Sequence, residues 1–195
     1  MPDYLSLVIE MLGPSFEADR AGDFWSPLEE RVGVSLPDDF KLLMDHYAPV
    51  LLNGHLQLMH PESADWDLMN EIEETTGIFS QYDFSEELAE LFGENHPQFG
   101  GPGGLIAIAG TDREERLFFL KSANEWSIVV YNGGGRNSFH QYNMTFSEWL
   151  YRYLTGEEVA GPGSSAFYPG PVRFERLPVE PGGQIETWFG PDRGI

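Results

Sequence analysis

Three apolar runs, Leu105–Ala109, Arg116–Lys121 and Trp126–Tyr131, constrain this chain more than any other feature. Each is about five or six residues long and is bounded by polar or glycine-rich turns, the pattern of strands. The connection Gly110-Thr111-Asp112-Arg113-Glu114-Glu115 is too short for a crossover helix, which takes roughly a dozen residues or more. Ser122–Glu125 is shorter still. Both neighbours are therefore expected to pair antiparallel, as a meander, with Phe139–Tyr142 as a candidate edge strand.

Helix signals flank this block. Leu5, Val8, Ile9 and Leu12 fall at helical spacing and Gly13-Pro14 ends the run. Ser26-Pro27-Leu28-Glu29 reads as a capping box opening a short helix that Gly33 stops. Leu36-Pro37-Asp38-Asp39 opens another, with Phe40, Leu43, Met44 and Tyr47 as its buried stripe and Ala48, before Pro49, as its boundary. Leu51–Met59 reads as extended with a turn at Asn53-Gly54, placing Leu56 and Leu58 on one face and His55, Gln57 and Met59 on the other. Residues 62–76 read as an acidic helix with Trp66, Met69 and Ile72 towards the core, and Ser85–Phe92 as a short helix ended by Gly93. Thr145-Phe146-Ser147-Glu148 is a second capping box, opening a helix with Trp149, Leu150, Tyr153 and Leu154 that ends at Gly156.

From Gly161 the chain is rich in Pro and Gly, and only Val172–Leu177 and Ile185–Phe189 look capable of extension. This tail is expected to lie over the domain as an appendage. The fold class expected is α+β in a single domain: N-terminal helices, a central antiparallel β-meander sheet, a C-terminal helix packed on one side of it, and a Pro/Gly-rich tail. Residues 1–160 form the expected domain and 161–195 the C-terminal extension.

Charge narrows the function classes. The chain carries 32 acidic and 11 basic residues, a formal charge of −21. Residues 1–100 hold 21 Asp and Glu against Arg20, Arg31 and Lys41, whereas residues 101–195 hold 11 acids and 8 bases. Such a field repels phosphates and anionic lipid and steers cationic proteins inward. Neither nucleic acid nor a membrane is expected as the direct partner. With no cysteine, disulfides, thiolate metal sites and a cysteine nucleophile drop out. Met1-Pro2-Asp3-Tyr4 lacks a basic export region, and no apolar run approaches the roughly 20 residues that span a bilayer. The compartment expected is the cytoplasm.

Catalytic and cofactor signals are weak. Gly100–Gly104 precedes a strand, and Gly133-Gly134-Gly135 follows one without opening a helix, so both read as turns rather than phosphate loops. His46, His55, His60, His96 and His140 form no HxxxH pair and read as surface or hydrogen-bonded histidines. There is no GxSxG; Gly161-Pro162-Gly163-Ser164-Ser165 lies in the loop-like tail. Lys41 and Lys121 are the only lysines. No catalytic residue, metal or cofactor is assigned, and the chain is expected not to be an enzyme.

The acidic run Glu62–Glu74 is the candidate for partner binding, with Glu62, Asp65, Trp66, Asp67, Glu71 and Glu74 as contacts. On a helix, Asp67, Glu71 and Glu74 share a face, where like charges cost roughly a few tenths of a kcal/mol per pair. The competing reading is an ordinary solvated face, with Trp66 in the core.

The segment Trp25-Ser26-Pro27-Leu28-Glu29-Glu30-Arg31-Val32-Gly33-Val34-Ser35-Leu36-Pro37-Asp38-Asp39-Phe40-Lys41-Leu42-Leu43 resembles the hallmark of the SUKH superfamily: an acidic residue, a Gly, then Leu-Pro, polar residues, an aromatic and an apolar helix. Asn53-Gly54, the strands Leu105–Ala109 and Arg116–Leu120, and the helix Phe146–Leu154 fall in the matching order over roughly residues 1–156. Ala48-Pro49-Val50 is an unusual route to Asn53-Gly54, and the tail lies outside the pattern. The resemblance implies an α+β domain with no catalytic residues, and a bacterial immunity protein that masks a cognate toxin, often a nuclease, by stoichiometric binding. A basic toxin suits an acidic partner. It also implies an alternative, a regulatory interaction module like the yeast cell-wall-synthesis relative; an unrecognised hydrolase is the third reading.

Overall fold

The short connections that force a meander also leave its outer edges open to further strands, and the chain uses one of them. The computed structural model describes residues 2–15, 20, 22–123, 125–134 and 137–194. In chain order its elements are α1 (Tyr4–Leu12), α2 (Trp25–Val32), α3 (Asp38–Tyr47), β1 (Val50–Leu52), β2 (Leu56–Leu58), α4 (Leu68–Phe79), α5 (Ser85–Phe92), β3 (Ile106–Thr111), β4 (Arg116–Ser122), β5 (Glu125–Tyr131), β6 (Phe139–Tyr142), α6 (Phe146–Leu154), β7 (Arg173–Arg176) and β8 (Glu186–Phe189). The eight strands form one sheet in the order β6-β5-β4-β3-β2-β1-β7-β8, antiparallel throughout. The architecture is α+β, as expected.

Asn53 (φ 54°) and Gly54 (φ 70°) turn β1 into β2, a left-handed pair that Asn-Gly adopts at low cost. The same turn receives the tail: Asn53 donates its N–H to the Arg173 carbonyl (2.8 Å), and its side chain accepts from the Arg173 N–H (3.0 Å). Residues 173–176 and 186–189 are thus a hairpin of the main sheet rather than an overlying appendage. Val172, Phe174 and Leu177 are buried in it. The glycine-rich segment before β3 is a tight turn. A side chain at Gly104 would meet the Gly100 carbonyl oxygen at 2.1 Å, so the backbones approach where only glycine fits. Of the Gly133-Gly134-Gly135 connection, Gly135 lies outside the described residues.

Several helices begin where a side chain satisfies one of their first amides, though not always by the expected residue. Asp23, not Ser26, supplies the capping acceptor: it accepts from the Ser26 N–H (3.0 Å), and α2 starts at Trp25, ahead of the expected first helical residue Pro27. Glu29 turns away from the expected box; it accepts from the Leu36 N–H (2.9 Å) and from Lys41 Nζ (2.9 Å), bracing the loop between α2 and α3. At α6, Thr145 accepts from the Glu148 N–H (3.2 Å), while Glu148 pairs with Arg152 (2.8 Å) instead of reaching back. Asp39 of α3 accepts from the Ser147 N–H (2.9 Å), so one helix caps another.

The main core lies between α1, α2, α3 and α6 and one face of the sheet. Phe40 is fully buried there, edge-on to Phe119 of β4 (5.1 Å) and to Phe146 of α6 (5.0 Å). The other face is covered too, which corrects the one-sided packing expected. Leu105, Ala107, Phe118, Leu120, Val129 and Phe139 meet Phe79 of α4 and Leu88 of α5 in a second, smaller cluster. β3, β4 and β5 are consequently buried on both faces. Over β1, β7 and β8 this second face stays open, with Leu51 half-buried and Thr187 and Phe189 exposed.

Phe174→Ala is expected to cost about 3–5 kcal/mol, the range for a buried aromatic in a core, not the near-zero cost of a change in a loose tail. Urea unfolding read by tryptophan fluorescence measures the difference.

Candidate functional site

The acidic segment starts as a loop. Ser63 donates its N–H to the His60 carbonyl (3.1 Å); its hydroxyl accepts from the Trp66 N–H (3.1 Å) and donates to the Pro178 carbonyl (3.3 Å). Asp67 accepts from the Met69 N–H (2.9 Å) as the cap of α4. The helix therefore runs over Leu68–Phe79, not 62–76, because Ser63 and Asp67 bind their own local amides and hold residues 62–66 outside it.

The six candidates consequently part company. Glu62 pairs with Arg20 (2.9 Å), whose guanidinium also donates to the carbonyls of Met44 (3.3 Å) and Ala48 (2.9 Å). Asp67 is committed to the helix cap, and burial holds its carboxyl above the ordinary range. Glu71 is half-buried; it accepts from the Thr75 hydroxyl (3.0 Å) and lies 3.8 Å from Arg116, and burial raises its carboxyl as well. Trp66 is half-buried. Asp65 and Glu74 are exposed and make no ion pair among the described residues.

Glu71 and Glu74 do stand together, in a cleft of about 290 Å³ with Thr75, Ile78 and Phe79 of α4, Glu114 and Arg116 of the β3–β4 turn and β4, and Tyr131 of β5. Beside it, Ile78 (53% exposed) and Tyr82 (65%) project into solvent. Glu86 and Glu90 of α5 and nearby Glu94 are exposed, and α5 contains no base. Ile78, Tyr82, Glu114 and Tyr131 were not singled out from the sequence. Ile78 and Tyr82 follow Glu74 at four-residue steps, a signal hidden by the dense aromatic run around them. Glu114 and Tyr131 arrive only through strand pairing.

Two buried histidines hold this region in place. His60 is fully buried. Its Nδ1 accepts from the Glu62 N–H (3.1 Å), so Nε2 carries the proton and donates to Asp45 (3.0 Å). Asp45 also accepts from Trp25 Nε1 (2.9 Å). Burial, reinforced by Arg20 and opposed by Asp45, pushes His60 down to about 4. His55 contacts Asp112 through Nδ1 and accepts from Arg113 Nε (2.9 Å). It stacks on Tyr153 (6.1 Å, 10°). Burial, then Arg113, pushes it down to about 4. These contacts brace turns, and among the described residues no group of three or more His, Asp and Glu is arranged to hold a metal.

A larger cleft, about 460 Å³, lies between β4–β6 and the start of α6, with Phe119, Trp126, Met144 and Phe146 in its lining. Two of its carboxylates are already engaged, Asp39 with the Ser147 N–H and Glu148 with Arg152.

A family model described as SMI1-KNR4 cell-wall (SUKH_6) matches residues 24–150. The match spans α2 through the first half of α6 and includes the acidic segment and α5; the β7–β8 hairpin lies beyond it. No curated protein and no solved structure matches significantly. Among the described residues no helix is long and apolar enough to cross a membrane.

The histidines give the fold a pH response of fixed sign. Both rings are neutral when buried, whereas an unfolded histidine binds a proton near 6.5. The unfolded state therefore holds more protons between about pH 6.5 and 4, and stability is expected to fall as pH drops through that window, by up to about 3 kcal/mol per ring. The raised carboxyls of Asp67 and Glu71 act in the opposite direction at its acid end. Urea midpoints at about pH 7 and about pH 4.5 measure the slope. His60→Gln, which keeps a donor for Asp45 and an acceptor for Glu62, is expected to flatten it.

Proposed function

The chain belongs to the SMI1-KNR4 cell-wall family of the SUKH superfamily, and from that membership we propose that it works by binding another protein, as a cytoplasmic immunity protein that masks a basic toxin. The observation that carries this reading is the exposed carboxylate surface of α4 and α5. Glu74 on α4 and Glu86 and Glu90 on α5 are exposed, neither helix carries a base, and the two bases beside α4, Arg31 and Arg116, lie against Glu73 (2.5 Å) and Glu71 (3.8 Å). A surface so one-signed, beside exposed Ile78 and Tyr82, suits a cationic protein with an apolar centre to its contact. A toxin that handles nucleic acid would present such a surface, and covering it would block its activity.

The cell-wall wording of the family's description supports a second reading, a regulatory interaction module. Gene neighbourhood separates the two, since an immunity protein is encoded beside its toxin.

The direct test mixes the purified chain with the product of an adjacent toxin-like reading frame. The immunity reading expects a one-to-one complex that abolishes toxin activity and associates more slowly as salt rises. Asp65→Lys with Glu74→Lys is expected to slow association about tenfold at low salt, leaving the fold intact because both side chains are exposed. Glu62, Asp67 and Glu71 are poor probes, because each also supports the fold. Absence of any complex, with toxin activity unaffected, overturns the immunity reading.

A further inference from the structure

We propose that the cleft between α4 and the Arg116–Tyr131 end of the β4–β5 pair seats a single arginine side chain of the bound protein; this rests on the protein-binding reading above. Its lining combines aromatic rings with carboxylates. Tyr131 is wedged by Phe79 (5.0 Å, 86°), Phe84 (5.7 Å) and Phe139 (5.1 Å), so its ring is a fixed surface rather than a swinging arm. Glu74 enters from α4 and Glu114 from the β3–β4 turn.

The cation that the fold supplies here is already committed. Arg116 lies 3.8 Å from Glu71 and donates to the Glu115 carbonyl (3.1 Å). Glu74 and Glu114 are left with no basic partner among the described residues. The Tyr131 hydroxyl sits above its ordinary range through burial and through Glu114, Tyr82 and Glu87, which records the same negative field.

Shape selects among cations. At about 290 Å³ the cleft lies at the small end of the roughly 300–1,000 Å³ typical of ligand sites, and it has room for one side chain presented by a partner. A planar guanidinium can lie on a ring while its N–H groups reach two carboxylates, which a lysine ammonium does less well. Exposed Ile78 and Tyr82 at the rim give that partner an apolar contact around the arginine, the arrangement of an interface anchor.

The probe is N-acetyl-arginine amide, titrated against the full chain and followed by NMR at the Tyr131 ring and the Ile78 methyls. The expected result is saturable shifts confined to Ile78, Phe79 and Tyr131. N-acetyl-citrulline amide, the uncharged analogue, should bind at least about fivefold more weakly, and N-acetyl-lysine amide should fall between them. Glu74→Gln with Glu114→Gln should weaken the arginine probe about tenfold without changing the unfolding midpoint. Shifts spread equally over Asp65, Glu86 and Glu90, or citrulline binding as well as arginine, overturn the cleft. A toxin that still binds tightly to the double variant overturns the cleft and leaves the protein-binding reading standing. Saturable probe binding together with failure of the adjacent toxin-like product to form any complex with the chain overturns the immunity reading and leaves the cleft standing.

Discussion

Phe40 is the contact through which the rest of the architecture is assembled. It sits in the helix opened by Leu36-Pro37-Asp38-Asp39 and meets Phe119 on β4 and Phe146 at the start of the last helix, both edge-on. Three segments far apart in sequence are therefore fixed by one ring. Asp39, its neighbour, caps α6 through the Ser147 N–H, so the polar and apolar faces of the same helical turn bind the same partner. Trp149, fully buried, extends this layer and donates Nε1–H to the Val159 carbonyl (2.7 Å), which leads the chain towards the β7–β8 hairpin.

Burial of β3, β4 and β5 on both faces gives α4 and α5 one side against the sheet and one side in solvent. α4 bridges the two apolar clusters, giving Leu68 and Ile72 to the larger and Phe79 to the smaller. Its remaining surface is then free to carry charge. The acids do three different jobs. Asp45 and Glu62 satisfy His60 and Arg20, Asp67 and Glu71 stabilise α4, and Glu74 with the α5 glutamates faces solvent. Like charges crowded on one surface oppose folding. The apolar contact of Phe79, Phe84, Phe99 and Phe118 beneath them offsets that repulsion.

Much of this fold could be read directly from residue patterns because the patterns are local. A connection of six residues cannot cross over a sheet, so the antiparallel meander followed from length alone. Gly33, Gly93 and the Asn53-Gly54 pair ended or turned elements because their backbone requirements are their own. The α6 helix followed from Thr145 and the spacing of its apolar residues. Two-sided burial also had a local trace, since Leu117-Phe118-Phe119-Leu120 is unbroken rather than alternating. Whether Ser26 or Asp23 capped α2 was a contest between neighbours that only the backbone path settles.

The sequence by itself determined the charge, the meander, the helix before it that carries the family motif, and the acidic segment as the place to look. Those properties belong to residues within a few positions of one another. Tertiary structure decided which acids are available. Glu62 met Arg20, Glu71 met Arg116, and Glu74 was brought beside Glu114 and Tyr131, partners 40 and 57 residues further along the chain. A carboxylate's role depends on what lies within a few ångströms of it, and strand pairing, not spacing along the chain, sets that neighbourhood.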